Sequence, residues 1–346
     1  MRSTRVFIAV AIVATLGSLL YLNSSRQQPM EPRETLAGKV SSAPRPSAPT
    51  AEVAAVPVAF ATLPIPEKFD GDPMNLVRAT KHKTGLLFKI EKPGLKTSYV
   101  VGTIHYLNDD VRKVADAVKT ALEGSASFCT EISLDGKTML AVQEAMLYPD
   151  KTMNLRKDIG EELYGKLDTL AKAQGLPMAM LDQIQPWAVM VILAMPDMSG
   201  ASLDLHLQIK AKEKNIALCG LETAEEQLGA LQMGSRENQL KMLRSVIEHH
   251  AEVQAQNKEL IKFYLARDLK SMMQLLENDP TTPDPVVKAQ FIVNLLIKRN
   301  ILMVNRMQPY LHKGNAFFAV GAAHLPGEKG ILQLLESLGY QITLVY

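Results

Sequence analysis

The feature that most restricts the fold open to this chain is the placement of its apolar runs. Short β-like runs lie at both ends of the region with globular composition, and long helical periodicities fill the middle. Thr84 to Ile90 and Ser98 to Val101 read as strands of a hairpin turning at Pro93-Gly94. Ala126 to Glu131, Ile216 to Gly220, Ala316 to Val320 and Gln341 to Val345 are further strand-length runs. Between them, Val111 to Glu123 repeats apolar residues at helical spacing. Leu140 to Ala194 is helical with breaks at Pro149-Asp150, Gly175 and Pro186. Leu203 to Lys214, Ala224 to Leu231, Arg236 to Leu276, Val286 to Leu311 and Glu328 to Leu338 read as helices, with Asn278 to Pro283 as a turn. The pattern predicts an α/β fold: one central mixed sheet carrying a large helical insertion.

The N-terminus is a different kind of sequence. Arg2 and Arg5 precede an uncharged stretch over residues 6–22, which as a helix would span about 25 Å, the lower limit for crossing a bilayer. A positive segment before an apolar one predicts export, with residues 1–25 either a cleaved signal peptide or a retained signal anchor. Residues 26–66 are rich in Pro, Ala and Ser and bury too little apolar surface to offset the entropy of ordering, so they read as a tether. Residues 67–346 are then the folded domain. The expected location is the periplasm, with tethering to the inner membrane if residues 6–22 are retained.

Composition removes several classes of function. Thirty-eight Lys and Arg against 36 Asp and Glu leave a net charge of +2, and no basic block is interleaved with aromatics, so no nucleic-acid partner is expected. Two cysteines support neither a disulfide framework nor a Cys-based zinc ribbon. Cys129 and Cys219 sit in apolar runs and read by default as buried free thiols, with their pairing open. The chain has no H-E-x-x-H, G-x-S-x-G, Walker or G-x-G-x-x-G motif.

What remains is a repeated grammar. Tyr99-Val100-Val101 leads into Gly102-Thr103-Ile104-His105, and Phe318-Ala319-Val320 leads into Gly321-Ala322-Ala323-His324. Each is an apolar strand followed by Gly, two residues and His; Gly at a strand end permits a turn or a close backbone approach. Open α/β sheets place their sites just beyond strand carboxyl ends. Two further strands end in acids, Glu131 and Glu222. Two imidazoles and two carboxylates could thus meet at one sheet edge, a donor set suited to a borderline divalent ion such as Zn²⁺ or Mn²⁺. By spacing alone, capping or core hydrogen bonding by the histidines, and helix-terminal or ion-paired acids, are equally open. Elsewhere, His249-His250 reads as a solvated helix face and His82 as surface. His206 and His312 fit helix faces, and the many methionines fall at core positions.

Taken in order, these pieces resemble the TraB/PrgY/GumN family, whose relatives include the Tiki proteins of animals. The resemblance rests on the strand-GTIH, the strand ending at Glu131 and the late GAAHLPGEKGIL ending in LGYQI. Gln185-Pro186-Trp187, Leu203-Asp204, Leu221-Glu222-Thr223 and Arg299-Asn300 add to it, over roughly residues 75–346. It implies a fold similar to erythromycin esterase and to haem- or iron-binding lipoproteins. It also implies a membrane-tethered, metal-dependent protease site. Carried over, His105 and His324 are the G-x-x-H histidines and Glu131 the strand-end acid, with Mn, Co or Zn as the ion and a peptide or protein as substrate. On that expectation Glu131 is third ligand or general base, and Glu222 completes the shell or orients a histidine. Arg299 either stabilises developing negative charge or forms a structural salt bridge. The alternatives are an extracytoplasmic protein that binds peptide, haem or metal without turnover, and a metal-free hydrolase.

Overall fold

The computed structural model describes residues 60–133, 135–195, 202–232, 235–277 and 285–346. The expected signal or anchor at 6–22, most of the tether and the turn at 278–283 lie outside the described residues. The fold is α/β, with six strands in one mixed sheet ordered β4-β3-β5-β2-β1-β6. The strands are β1 (Leu87–Glu91), β2 (Ser98–Thr103), β3 (Ser127–Ile132), β4 (Ala217–Glu222), β5 (Ala316–Gly321) and β6 (Gln341–Leu344).

The expected hairpin is present: β1 pairs antiparallel with β2, and β6 closes the other side of β1. The remaining contacts are parallel, β2 to β5, β5 to β3 and β3 to β4. Four neighbouring strands therefore run the same way, and their carboxyl ends share one edge. β5 has six buried residues, as expected for a central parallel strand covered on both faces. β4 is an edge strand with Ala217, Leu218 and Gly220 exposed.

Helices pack around this sheet through the stripes that the sequence shows. Asp109–Glu123 buries Val111, Val114, Ala115, Val118 and Leu122, and Asn108 caps its first turn by accepting from Val111 N at 2.9 Å. Pro186–Ala194 is buried on every side. Its C-terminal carbonyls are met by Asn257 at Ala194 O (2.8 Å) and Gln254 at Leu193 O (3.1 Å), which satisfies groups that a buried helix end leaves open. Methionines such as Met190, Met242, Met303 and Met307 are in the core, as expected.

The structure differs from the sequence reading at several points. The run from Arg236 to Leu276 is three helices, Arg236–Glu248, His250–Leu265 and Leu269–Glu277. His249 leaves helical geometry (φ −118°, ψ 30°), and Arg267 adopts a left-handed conformation (φ 58°) that no apolar periodicity discloses. His250 is not a solvated face: its Nε2 lies 3.1 Å from Leu193 O and 2.7 Å from Gln174 Nε2. His82 is partly buried, 3.0 Å from Glu336 and edge-on to Phe88. Cys129 and Cys219 are not free thiols but a disulfide; the parallel register of β3 and β4 sets them directly opposite each other, with Cα atoms 4.5 Å apart. Upstream of Glu67, Leu63 already bonds to Asn305 through both its backbone groups.

Candidate active site

The two G-x-x-H segments are packed on each other, and their glycines show why. β2 and β5 are paired through Thr103 and Gly321. A side chain on Gly102 would meet Ala322 Cα at 3.0 Å in the second segment and Leu325 Cδ1 at 2.7 Å just after it. One on Gly321 would stand 3.2 Å from Glu131 Oε1. Neither glycine has a positive φ, so close approach alone accounts for them. Gly102→Ala is expected to cost about 1–3 kcal/mol through overpacking; a shift in the urea midpoint at unchanged slope would measure it.

Both histidines are buried just past their strands, and each is held through Nδ1. His105 Nδ1 lies 2.9 Å from Asp204 Oδ2, while the other Asp204 oxygen accepts from the Thr103 hydroxyl. Asp204 stands in the first turn of helix Leu203–Glu213, capped by Ser202, and Leu203 N donates to Ile104 O at 3.4 Å, tying that turn to the first G-x-x-H. His324 Nδ1 lies 2.6 Å from Asn300 Oδ1. The Asn300 amide is oriented by its Nδ2 donating to Lys329 O at 2.8 Å, so Oδ1 must accept and His324 must carry its proton on Nδ1. Both rings then leave Nε2 as the bare nitrogen. His105 Nε2 is buried without a hydrogen-bond partner, and His324 Nε2 has two long contacts, Arg299 Nη1 at 3.4 Å and Glu131 Oε1 at 3.6 Å.

The carboxylates converge on Arg299. Its Nε and Nη2 bond Glu222 at 2.9 and 2.6 Å, and Nη2 also bonds Glu131 Oε2 at 2.7 Å. Glu131 accepts further from Gln227 Nε2 at 3.0 Å and from Gly321 N at 2.7 Å. Arg299 and Asn300 are consecutive, and both reach this centre from the helix Lys298–Lys313. A π turn over Val293–Ile297 precedes them, and Leu295 O there accepts from Arg299 Nη1 at 3.3 Å. Wide turns of this kind recur at functional sites.

Burial shapes the charges. It pushes the His324 imidazole down to about 3, so this ring stays neutral. Burial acts the same way on His105, but the Asp204 charge and hydrogen bond outweigh it and the ring is shifted upward. Glu131 would be raised by burial; the Arg299 charge overcomes this and holds it at about 2. In Glu222 burial prevails and the carboxyl is shifted upward.

A profile of one family spans residues 86–344 of this chain, described as the TraB/PrgY/gumN family, and its stretch contains every residue of this centre. The chain belongs to the TraB/PrgY/gumN family. An uncharacterized protein of Treponema pallidum (strain Nichols) is 24% identical over 273 residues, covering 74% of this chain and 81% of that protein. No solved structure matches the chain.

In this TraB/PrgY/gumN member the expected residues His105, His324, Glu131, Glu222 and Arg299 do come together at one sheet edge. Among the described residues no group of three His, Cys, Asp or Glu side chains stands as a ready-made ion site. Glu131 Oε1 lies 3.6 Å from His324 Nε2. Glu131 is committed to Arg299, Gln227 and the Gly321 amide. Orientation of a histidine, one of the two roles open to Glu222, falls to Asp204 for His105 and to Asn300 for His324. Those two carry no strand-end pattern, although Leu203-Asp204 and Arg299-Asn300 are legible as motif pieces.

The donors can still be judged against a divalent ion. Two bare imidazole nitrogens, one without any partner, are suitable ligands, and each has the locked Nδ1 that metal-bound histidines use. Two buried carboxylates, Glu131 and Glu222, face one guanidinium, and a third, Asp204, backs His105, which leaves the cluster short of positive charge while its carboxyls are ionised and His105 is neutral. A dication fits on both counts, held by the two histidines.

Proposed function

We propose that this chain is an extracytoplasmic, metal-assisted hydrolase acting on peptides. The observation that carries this reading is the pair of imidazoles from adjacent parallel strands, both with Nε2 bare and Nδ1 locked. His105 and His324 would hold the ion. When bound there, a divalent metal supplies a Lewis acid that polarises a carbonyl and lowers the pKa of its water.

The chain's own residues perform the remaining tasks. Asp204 fixes the His105 tautomer and orientation, and Asn300 does so for His324. Glu131, with both oxygens occupied and its affinity for protons depressed, is a poor general base. It serves with Glu222 to fix the Arg299 guanidinium beside His324, where Arg299 Nη1 can donate to an oxygen that gains negative charge. Export is supported by the amino-terminal sequence and by a cross-strand disulfide, which persists in oxidising compartments.

Hydrolysis without metal, with water activated by the Asp204–His105 pair, is favoured by the unpartnered His105 Nε2 and by the upward shift of that ring. Turnover of a peptide library by the full-length chain distinguishes the readings. Metal assistance predicts cleavage that stops on chelation, returns with Mn²⁺, Co²⁺ or Zn²⁺, and is absent in His105→Ala and His324→Ala. Cleavage that survives chelation favours direct activation, whereas retained metal without any cleavage means a binding protein. Asp204→Asn is expected to weaken metal affinity about 10- to 100-fold, since it removes the charge behind His105. Competition with a chromogenic chelator would read that change, and unaltered affinity would remove Asp204 from the account.

A further inference from the structure

The Cys129–Cys219 disulfide lies two residues before Glu131 on β3 and three before Glu222 on β4. Those carboxylates are the two anions that grip Arg299. The disulfide therefore joins, covalently, the two strands that deliver both acids to one guanidinium. Among the described residues β4 has no strand on its outer side, and Ala217, Leu218 and Gly220 are exposed along it. Its half nearest the site is held differently: Leu221 and Glu222 are buried, Leu221 O accepts from Arg306, and Glu222 accepts from Arg299. An edge strand with one neighbour is the part of the sheet that opens most readily, and the disulfide stands at its middle.

We propose that this disulfide is a redox latch on the active centre, closed by oxidation and opened by a dithiol reductant. Cys129 is fully buried, whereas Cys219 on the edge strand is partly exposed. The reductant's thiolate attacks Cys219 Sγ, the S–S bond breaks, and Cys129 leaves as a thiolate that takes up a proton. The reductant's second thiol then resolves the mixed disulfide and frees Cys219 as a thiol. Two electrons and two protons pass to the chain, and the dithiol becomes a disulfide. With the latch open, the exposed half of β4 has no covalent tie and rests on its ladder to β3 and on helix packing. Glu222 then keeps only its contacts to Arg299 and the ladder, so its distance from Glu131 and the place of Arg299 beside His324 become less tightly fixed. The latch follows from the positions of the two acids and holds whatever reaction the centre supports.

Amide hydrogen exchange on the full-length chain, oxidised and after treatment with dithiothreitol under native conditions, tests the latch without requiring turnover. The expected result is that both sulfurs become reducible without unfolding. Exchange should then rise about tenfold or more in β4, at Thr130–Ile132 and around Arg299, with β1 and β2 unchanged. Cys129→Ser/Cys219→Ser should show the same local pattern with no reductant present; if that variant does not fold, the reductant arm decides alone. Sulfurs that react only on global unfolding would overturn the proposal. So would reduction that leaves β4 and Arg299 unaltered, or one that loosens the whole domain evenly.

Discussion

Replacing Arg299 with methionine is expected to destabilise the fold by about 3–5 kcal/mol, the cost of leaving buried charges without their partner. The side chains of Arg299, Glu131 and Glu222 are each at most 4% exposed, so water cannot replace the lost guanidinium. The effect exceeds the loss of a few hydrogen bonds because two carboxylates are stranded at once. Lysine would not restore the native value. A single ammonium cannot reproduce the planar fork that bonds Glu222 through two nitrogens and Glu131 through one of them. The triple substitution Arg299→Met/Glu131→Gln/Glu222→Gln should recover much of the loss, because it removes the charges together. Urea denaturation of the three variants would measure this, and a loss below about 1 kcal/mol for Arg299→Met would contradict the assignment of a buried, charged centre.

The second large effect is acid sensitivity governed by His324. Its folded pKa of about 3 lies below the unfolded value, so the unfolded chain takes up the proton first. The stability this ring contributes is fully present above about pH 6.5 and is lost progressively as pH falls toward 3, a change on the order of 4 kcal/mol. Glu131 adds the same sign at lower pH: its contribution is present above about pH 4.5 and disappears as pH falls toward 2. His105 is shifted upward, so its contribution is complete below its unfolded pKa and is lost only as pH rises. The descent between pH 6.5 and 4.5 therefore belongs to lowered histidines, His324 above all, with smaller shares from His206 and His250. Thermal or urea unfolding of the chelator-treated chain at stepped pH would show the slope, and His324→Gln should flatten most of it. An unchanged slope in that variant would mean that the ring is charged or hydrated in the folded chain.

Much of this centre could be anticipated because strand ends announce themselves. Gly102 to His105 and Gly321 to His324 each follow an apolar run that has no alternative to burial in a sheet. Their convergence follows once β2 and β5 are parallel neighbours. Glu131 and Glu222 were visible for the same reason. Asp204 and Asn300 were not assignable, since each lies on a helix and acquires its meaning only from the ring nitrogen it faces. The cysteine pair was equally hidden. Ninety residues separate Cys129 from Cys219, and only the register of β3 against β4 sets them opposite each other. The breaks in the helical run from Arg236 to Leu276 have another cause. Its apolar spacing continues across His249 and Arg267, where backbone conformation, not side-chain pattern, ends each helix.

The most direct test of the account is elemental analysis of the full-length chain after loading with Mn²⁺, Co²⁺ or Zn²⁺ and desalting, beside His105→Ala/His324→Ala. Near-stoichiometric metal in the native sequence, lost in the double variant while its fold is retained, is the predicted result. Metal absent from the native chain, or retained equally by the variant, would contradict an ion held by the two Nε2 atoms.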